Sequence, residues 1–162
     1  MKIITTRILT VLIIGLSLLM TSTVYASDRY GKQKVVYHIN YDDPKMQAGA
    51  LRNIQNHINA VGAENLDLKV VLHGNGLAML LEPDSLQKLT KFKYANANET
   101  MTAKIDTLKN QGVTFNVCAN TISGRNVDRE TDLYNVSAGD IVPSGVAEVA
   151  RLQAMGYAYI KP

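Results

Sequence analysis

Cysteine is nearly absent from this chain, whose 162 residues contain only one, Cys118. A single cysteine cannot form an internal disulfide, which excludes a disulfide-stabilised scaffold and a dithiol redox centre contained within one chain. The lone thiol can serve as a packing residue, as a nucleophile, or as half of a disulfide between chains. Cys118 is therefore the first residue whose surroundings need to be established.

The sequence also lacks long runs of one charge, low-complexity segments and internal repeats. The formal net charge of +3 falls to +1 without residues 1–26, which contain Lys2 and Arg7 and no acidic residue. Proteins that bind nucleic acids carry a basic patch or stripe, whereas the charges of this chain are scattered. We therefore predict no nucleic-acid partner.

Several catalytic signatures are missing as well. The sequence has no Gly-x-Ser-x-Gly motif, which argues against an elbow-type serine hydrolase. The full dinucleotide-binding and phosphate-loop patterns are absent. His38, His73 and Cys118 lack the short spacing that is typical of metal ligands. The sequence thus predicts neither a metal site nor a bound cofactor.

Residues 1–26 have the pattern of a secretory signal peptide. Lys2 and Arg7 make the start positive, residues 8–20 form an almost unbroken apolar run, and small residues precede a cleavage point after Ala26. The run of thirteen residues is shorter than the roughly 18 that a spanning helix needs. We expect this segment to be removed on export, and an uncleaved membrane anchor is the alternative.

The mature protein would then be a single domain of residues 27–162, periplasmic or secreted, without stable membrane insertion. A chain of this length can form one compact domain with its own core. Exported proteins meet an oxidising environment in which cysteines normally occur in pairs. An unpaired Cys118 is therefore a candidate reactive thiol.

Hydrophobic periodicity and turn residues divide the domain into alternating strands and helices. Apolar runs rich in β-branched residues predict strands at residues 34–39, 66–72, 113–117, 141–142 and 157–160. Apolar residues at helical spacing predict helices between them. The last helix is predicted to begin after Ser144, its N-cap, and to carry Val146, Val149 and Leu152 on its inner face.

Strands that alternate with helices are typical of an α/β fold whose mostly parallel sheet is covered on both faces. We therefore expect a three-layer α/β/α sandwich with a sheet of about five strands. Right-handed crossovers place the carboxyl ends of all strands at one edge of the sheet. Ligands of such folds bind in the crevice at that edge.

Three side chains are predicted at this edge: His38 near the end of the first strand, His73 after the second, and Cys118 at the end of the third. If the strands are neighbours, a histidine can take the proton of Cys118. His73 is the better candidate base, and His38 has the pattern of a hydrogen-bonded core histidine. A helix that begins at Ala119, and Arg125 after it, would favour the thiolate.

Gly74, Asn75 and Gly76 form a glycine-rich turn directly after His73. The backbone N–H groups of such a turn can bind an anion. A tight turn without a ligand is the alternative.

Four segments carry a resemblance to a known family: residues 71–77, 112–125, 142–148 and 152–160. In sequence and order they resemble the DsrE/DsrF-like family of small sulfur-handling proteins, and most closely its exported single-domain members. The resemblance extends over nearly the whole mature chain.

The resemblance implies a three-layer α/β/α domain that assembles into trimers or hexamers. In the sulfur-trafficking members, a cysteine after the third strand accepts sulfur as a persulfide and passes it on, and Cys118 stands at the matching position. The implied partners are a sulfane-sulfur donor and an acceptor protein or small thiol. The chain departs from the best-known members, which are cytoplasmic and use relay cysteines.

The leading hypothesis from the sequence is thus an exported sulfur-carrier or sulfurtransferase-like protein that uses Cys118, assisted by His73. A non-catalytic oligomeric module is the alternative, in which the turn at Gly74 to Gly76 binds a small anion or an exported protein and Cys118 only packs. A third hypothesis is thiol redox chemistry through a disulfide with another chain or a small thiol.

Overall fold

Five parallel strands form the centre of the molecule, for which a computed structural model describes residues 27–162. The predicted signal peptide lies outside the described residues. The strands are β1 (Gln33–Ile39), β2 (Leu66–Leu72), β3 (Thr114–Cys118), β4 (Ile141–Val142) and β5 (Ala158–Ile160). Their order across the sheet is β4-β3-β2-β1-β5. Each predicted strand occurs, with bounds that agree to within one residue.

Six α-helices connect or flank the strands within the described residues. They are α1 (Ser27–Tyr30), α2 (Pro44–Val61), α3 (Glu99–Asn110), α4 (Ala119–Gly124), α5 (Arg129–Asp132) and α6 (Gly145–Ala154). Short 3-10 helices cover Ala63–Asn65, Gly74–Met79, Pro83–Gln87 and Ala138–Asp140. Helix α2 begins as predicted, because the Asp43 carboxylate accepts the Met46 N–H at 2.9 Å and Pro44 follows it.

The helices cover both faces of the sheet, but unequally. The larger core includes apolar side chains of α2 and α3 packed against Val35, Tyr37 and Ile39 of β1. On the opposite face a smaller cluster joins Val36 and Val71 to α6 and Tyr157. The three-layer α/β/α sandwich with a parallel five-stranded sheet is therefore confirmed.

Alternation along the strands decides which side chains share the α6 face. On β3, Phe115 and Val117 belong to the larger core, so Asn116 and Cys118 point to the other face. On β2, Val71 belongs to the cluster under α6. His73 has the same parity as Val71, so the pleat directs the histidine and Cys118 to the same side of the sheet.

Helix α6 differs from its prediction in the position of one side chain. Its buried residues are Gly145, Glu148, Val149 and Leu152, which lie at the i, i+3, i+4 and i+7 positions of one helical face. Val146 falls outside this stripe and is 65% exposed, so the prediction that it lies on the inner face is wrong.

Within residues 27–162, no helix is both long enough and apolar enough to cross a membrane.

Candidate functional site

A cleft of about 370 Å³ opens at the carboxyl edge of the sheet, between the end of β2 and the starts of α4 and α6. We call it the Cys118 cleft. Its lining residues are His73, Gly74, Cys118, Asn120, Thr121, Gly124, Arg125, Ser144 and Val146. The fold thus brings together four residues that were singled out in the sequence, Cys118, His73, Gly74 and Arg125.

A larger hollow of about 530 Å³ lies between α2 and α3. No cysteine or histidine lines it, and its lining includes Arg52 and Lys104. Of these two hollows, only the Cys118 cleft is lined by a cysteine.

Cys118 ends β3, is the residue before α4, and is only 4% exposed. Burial raises the pKa of its thiol, but hydrogen bonds from the backbone N–H groups of Gly145, Thr121 and Asn120 and from the Thr121 hydroxyl outweigh that effect. The net pKa of Cys118 lies below the ordinary value of a thiol. A lowered pKa favours the nucleophilic thiolate.

These donors come from two different elements. Asn120 and Thr121 belong to the first turn of α4, whereas Gly145 is the first residue of α6. Backbone N–H groups in the first turn of a helix have no partner within the helix and are available to an anion. The sulfur of Cys118 therefore lies where the amino-terminal ends of two helices meet.

Gly145 fits closely between the two candidate catalytic side chains. A Cβ atom on Gly145 would lie 2.8 Å from the Cβ of His73 and 3.3 Å from the Cβ of Cys118. Only a residue without a side chain allows α6 to begin this close to both.

His73 is hydrogen-bonded to His38, with 2.6 Å between the two Nε2 atoms and 4.8 Å between the ring centroids. The Nδ1 of His38 lies 2.8 Å from the hydroxyl oxygen of Tyr159 on β5. His38 is thus hydrogen-bonded as predicted, although it lies beside His73 at the sheet edge and not in the main core. Since β1 and β2 are neighbours, this pairing follows from the strand order.

The surroundings of both imidazoles favour the neutral form. Burial, His73 and Lys161 lower the pKa of His38 to about 4, and burial and Lys161 lower the pKa of His73. A hydrogen bond between two Nε2 atoms also requires that one carry a proton and the other not. The assignment of His73 as a base towards Cys118 remains a prediction, and its Nε2 is engaged with His38 in this structure.

Because the pKa values of His38 and His73 are lowered, we expect the free energy of unfolding to decrease in mild acid. The pKa of His38 is about 4 in the folded protein, against an ordinary value of 6.5 in the unfolded chain. Between these two pH values the unfolded chain binds the proton and the folded protein does not. The free energy of unfolding is therefore highest above pH 6.5 and decreases as the pH falls from 6.5 towards 4. We expect His38 to contribute a decrease of about 1 kcal/mol in the free energy of unfolding between about pH 7 and pH 5, allowing for its partial exposure. Urea unfolding at the two pH values measures it. His38→Asn should reduce the decrease, and equal pH dependence in both proteins would contradict the prediction.

Arg125 folds back over the cleft from the end of α4. Its Nη2 donates to Asn75 Oδ1 at 2.8 Å, its Nη1 donates to the Lys91 carbonyl at 3.3 Å, and the guanidinium lies 4.5 Å from the Phe92 ring centroid. The strongest effects on the pKa of Cys118 come from burial and from hydrogen bonds at Gly145, Thr121 and Asn120. Stabilisation of the thiolate by Arg125 stays a prediction.

The glycine-rich turn uses much of its backbone within the chain. The Gly74 N–H donates to the Thr121 hydroxyl at 2.9 Å, and the Gly76 N–H donates to the His73 carbonyl at 3.0 Å. Gly74 lines the cleft, whereas Asn75 and Gly76 do not. Binding of an anion by the turn stays a prediction, and the turn holds the end of β2 against α4 through the hydrogen bond from Gly74 to Thr121.

Among residues 27–162, no three histidine, cysteine or acidic side chains are grouped so that they could hold a metal ion.

A model of the DsrE/DsrF-like family matches residues 34–162. The chain belongs to the DsrE/DsrF-like family. Membership suggests a role in sulfur relay in general, and proteins of this family act in sulfur relay with partners. The resemblance inferred from the sequence is thereby confirmed.

Among solved structures, the chain is similar to MTH1491, a protein of unknown function from Methanobacterium thermoautotrophicum. The two share 27% sequence identity with a TM-score of 0.63, and the match covers 81% of this chain and 100% of the other. No curated protein matches the chain significantly.

Two features of this DsrE/DsrF-like site escaped the sequence-based prediction. The Thr121 hydroxyl and the Gly145 N–H help to lower the pKa of Cys118, and the Tyr159 hydroxyl is hydrogen-bonded to His38 of the histidine pair. The sequence does contain a pattern that indicates the position of Gly145. A helix begins at Ser144-Gly145 directly after β4, and β4 pairs with β3 beside Cys118. No local signal pointed to Tyr159.

Proposed function

We propose that this protein is an exported sulfur-carrier or sulfurtransferase-like protein in which Cys118 accepts sulfane sulfur as a persulfide and passes it to a partner. The observation that supports this most is the position of the sulfur in a cleft where the starts of α4 and α6 lower its pKa. A single thiol suffices for this chemistry, whereas redox cycling within one chain would need two.

The transfer balances without an added oxidant or reductant. The Cys118 thiolate attacks the sulfane sulfur of the donor, a new S–S bond forms, and the donor's leaving group departs with the electron pair of the broken bond. A thiolate of the acceptor then attacks the outer sulfur and restores Cys118. The N–H groups of Gly145 and Thr121 are placed to stabilise the thiolate that returns in this second step.

The remaining parts of the proposal come from the sequence and the resemblance. Residues 1–26 would direct the protein to the periplasm or outside the cell. Homotrimers or hexamers, a sulfane-sulfur donor, and an acceptor protein or small thiol would complete the system. His73 would supply or remove protons at the cleft.

Intact-protein mass spectrometry tests persulfide formation. After incubation of residues 27–162 with a sulfane-sulfur donor, we expect a mass increase of about 32 Da, reversed by a reducing thiol. Cys118→Ser should show no increase. Absence of the adduct under conditions that label a known sulfur carrier would refute the proposal.

Alkylation of Cys118 separates the carrier from the alternative, a non-catalytic oligomeric module that binds an anion or an exported protein. The 4% exposure of Cys118 favours that alternative, because buried cysteines commonly only pack. A poised thiolate should instead react with iodoacetamide in the folded protein, with a pH midpoint below that of the same thiol in urea. A thiol that stays unreactive at every pH at which the protein is folded would favour the binding module.

A further inference from the structure

The charges at the Cys118 cleft are all of one sign. None of the nine residues that line it is acidic, and Arg125 is positively charged. Lys91 lies at the rim, since its Nζ donates to the carbonyl of Gly124, a lining residue, at 2.6 Å. Within the described part of the chain, neither Arg125 nor Lys91 forms an ion pair with a carboxylate.

Arg125 is held in place by groups that leave its charge uncompensated. Its partners are the Asn75 side-chain oxygen, the Lys91 carbonyl and the face of the Phe92 ring. A guanidinium has five N–H donors, and the two hydrogen bonds leave the others for a ligand. Because the side chain is half-buried and fixed on two sides, little conformational entropy would be lost on binding.

The other polar groups of the cleft suit oxygen acceptors. Asn120 offers an amide, and Ser144 offers a hydroxyl group. The volume of about 370 Å³ lies in the range of small-molecule sites and is far too small to enclose a folded partner. A small oxyanion near the sulfur of Cys118 fits this combination of size, charge and hydrogen-bond donors.

We propose that the Cys118 cleft selects small sulfane-sulfur donors whose leaving part carries an anionic oxygen group, and that Arg125 recognises that group. This inference rests on the proposed function for its chemistry. Thiosulfate is the simplest such donor: the Cys118 thiolate attacks its outer sulfur, the S–S bond to the sulfonate breaks, and sulfite leaves with the electron pair. Arg125 would bind the sulfonate oxygens before transfer and the sulfite afterwards.

Two alkylating probes, one anionic and one neutral, test the selection without requiring persulfide chemistry. Iodoacetate carries a carboxylate and iodoacetamide is its neutral counterpart, so the ratio of their rates with Cys118 cancels changes in the amount of thiolate. We expect Arg125→Gln to lower the iodoacetate-to-iodoacetamide ratio about fivefold, and Arg125→Lys to restore part of it. In the wild-type protein the ratio should fall as salt is raised.

Arg52→Gln is the matched control, since it removes the same charge from the hollow between α2 and α3. It should leave the ratio unchanged. If Arg125→Gln and Arg52→Gln have equal effects, or if the wild-type ratio does not respond to salt, the selection of anionic donors is refuted. The salt series needs no variant and decides the matter even if Arg125→Gln does not fold.

Thiosulfate-driven persulfidation completes the test and separates the two proposals. We expect Arg125→Gln to slow it about tenfold at limiting thiosulfate. A charge-dependent alkylation ratio without any persulfide would retain the anion site and refute sulfur carriage. Persulfidation that is equally fast in Arg125→Gln would retain sulfur carriage and refute the role of Arg125.

Discussion

Gly145→Ala is expected to slow the alkylation of folded Cys118 at least about tenfold and to suppress its persulfide. The added Cβ would lie 2.8 Å from the Cβ of His73 and 3.3 Å from that of Cys118. Both of these Cβ atoms are bonded directly to the main chain, at the end of β3 for Cys118 and directly after β2 for His73, so the start of α6 has to move away. The Gly145 N–H that lowers the Cys118 pKa would retreat with it.

Gly124→Ala provides the control, because Gly124 also lines the cleft but has no atom within 4 Å of the position of an added Cβ. We expect it to react at nearly the wild-type rate. Urea unfolding of both variants separates a local displacement from general loss of structure. Wild-type alkylation kinetics in a folded Gly145→Ala protein would contradict the described arrangement of α6 and Cys118.

Gly76→Ala is expected to destabilise the protein by at least about 3 kcal/mol and to prevent its accumulation in folded form. A Cβ on Gly76 would lie 2.7 Å from the carbonyl carbon of Ile39 and closer still to its oxygen. These are backbone atoms at the end of β1, which pairs with both β2 and β5. The strand cannot move aside without breaking the sheet.

Alanine substitutions at two further glycines provide reference values for the destabilisation expected of Gly76→Ala, measured by urea unfolding. Gly74→Ala should cost about 1 kcal/mol, because Gly74 has φ +56° but its added Cβ would meet only Arg125 Nη2, at 3.9 Å. Gly49→Ala should stabilise the protein by about 0.5 kcal/mol, because Gly49 lies within α2 and its added Cβ makes an ordinary contact. Equal stability of the Gly76 and Gly74 variants would show that the close approach to Ile39 is not limiting.

Much of the fold follows from patterns of near neighbours in the sequence. Strands of period two and helices with capping residues such as Asp43 were predictable, because a few consecutive side chains decide them. The order of the strands was not, since it depends on how distant segments pack. Whether His38, His73 and Cys118 share an edge therefore remained conditional until β1, β2 and β3 were found side by side.

Helix α6 shows why a hydrophobic pattern can mislead by one position. Its inner stripe includes Glu148, whose carboxylate accepts hydrogen bonds from Asn116 at 3.2 Å and from Arg151 at 2.6 Å. A paired carboxylate can be buried, so this face is not marked by apolar residues alone. Val146 is apolar yet exposed, and the apolar pattern assigned it to the wrong face.

The candidate site was predictable in its nucleophile and in the helix that begins at Ala119, and not in its other supporting contacts. Cys118 is the only thiol, and its place at the end of β3 follows from the strand pattern. Tyr159 is hydrogen-bonded to His38 although the two residues are 121 positions apart in the sequence. Gly145 acts through its backbone N–H, and a backbone group cannot be recognised from the type of its residue. Such contacts depend on the assembled tertiary structure.

Support from the main chain has an evolutionary consequence. Three of the groups that lower the Cys118 pKa are backbone N–H groups, and residues of every type except proline provide one. Mutation of the neighbouring side chains can therefore leave the acidity of the thiol intact while changing the shape and charge of the cleft. A protein with this fold can therefore adapt to new sulfur donors and acceptors through mutations at the rim of the cleft, while the reactivity of its thiol is retained.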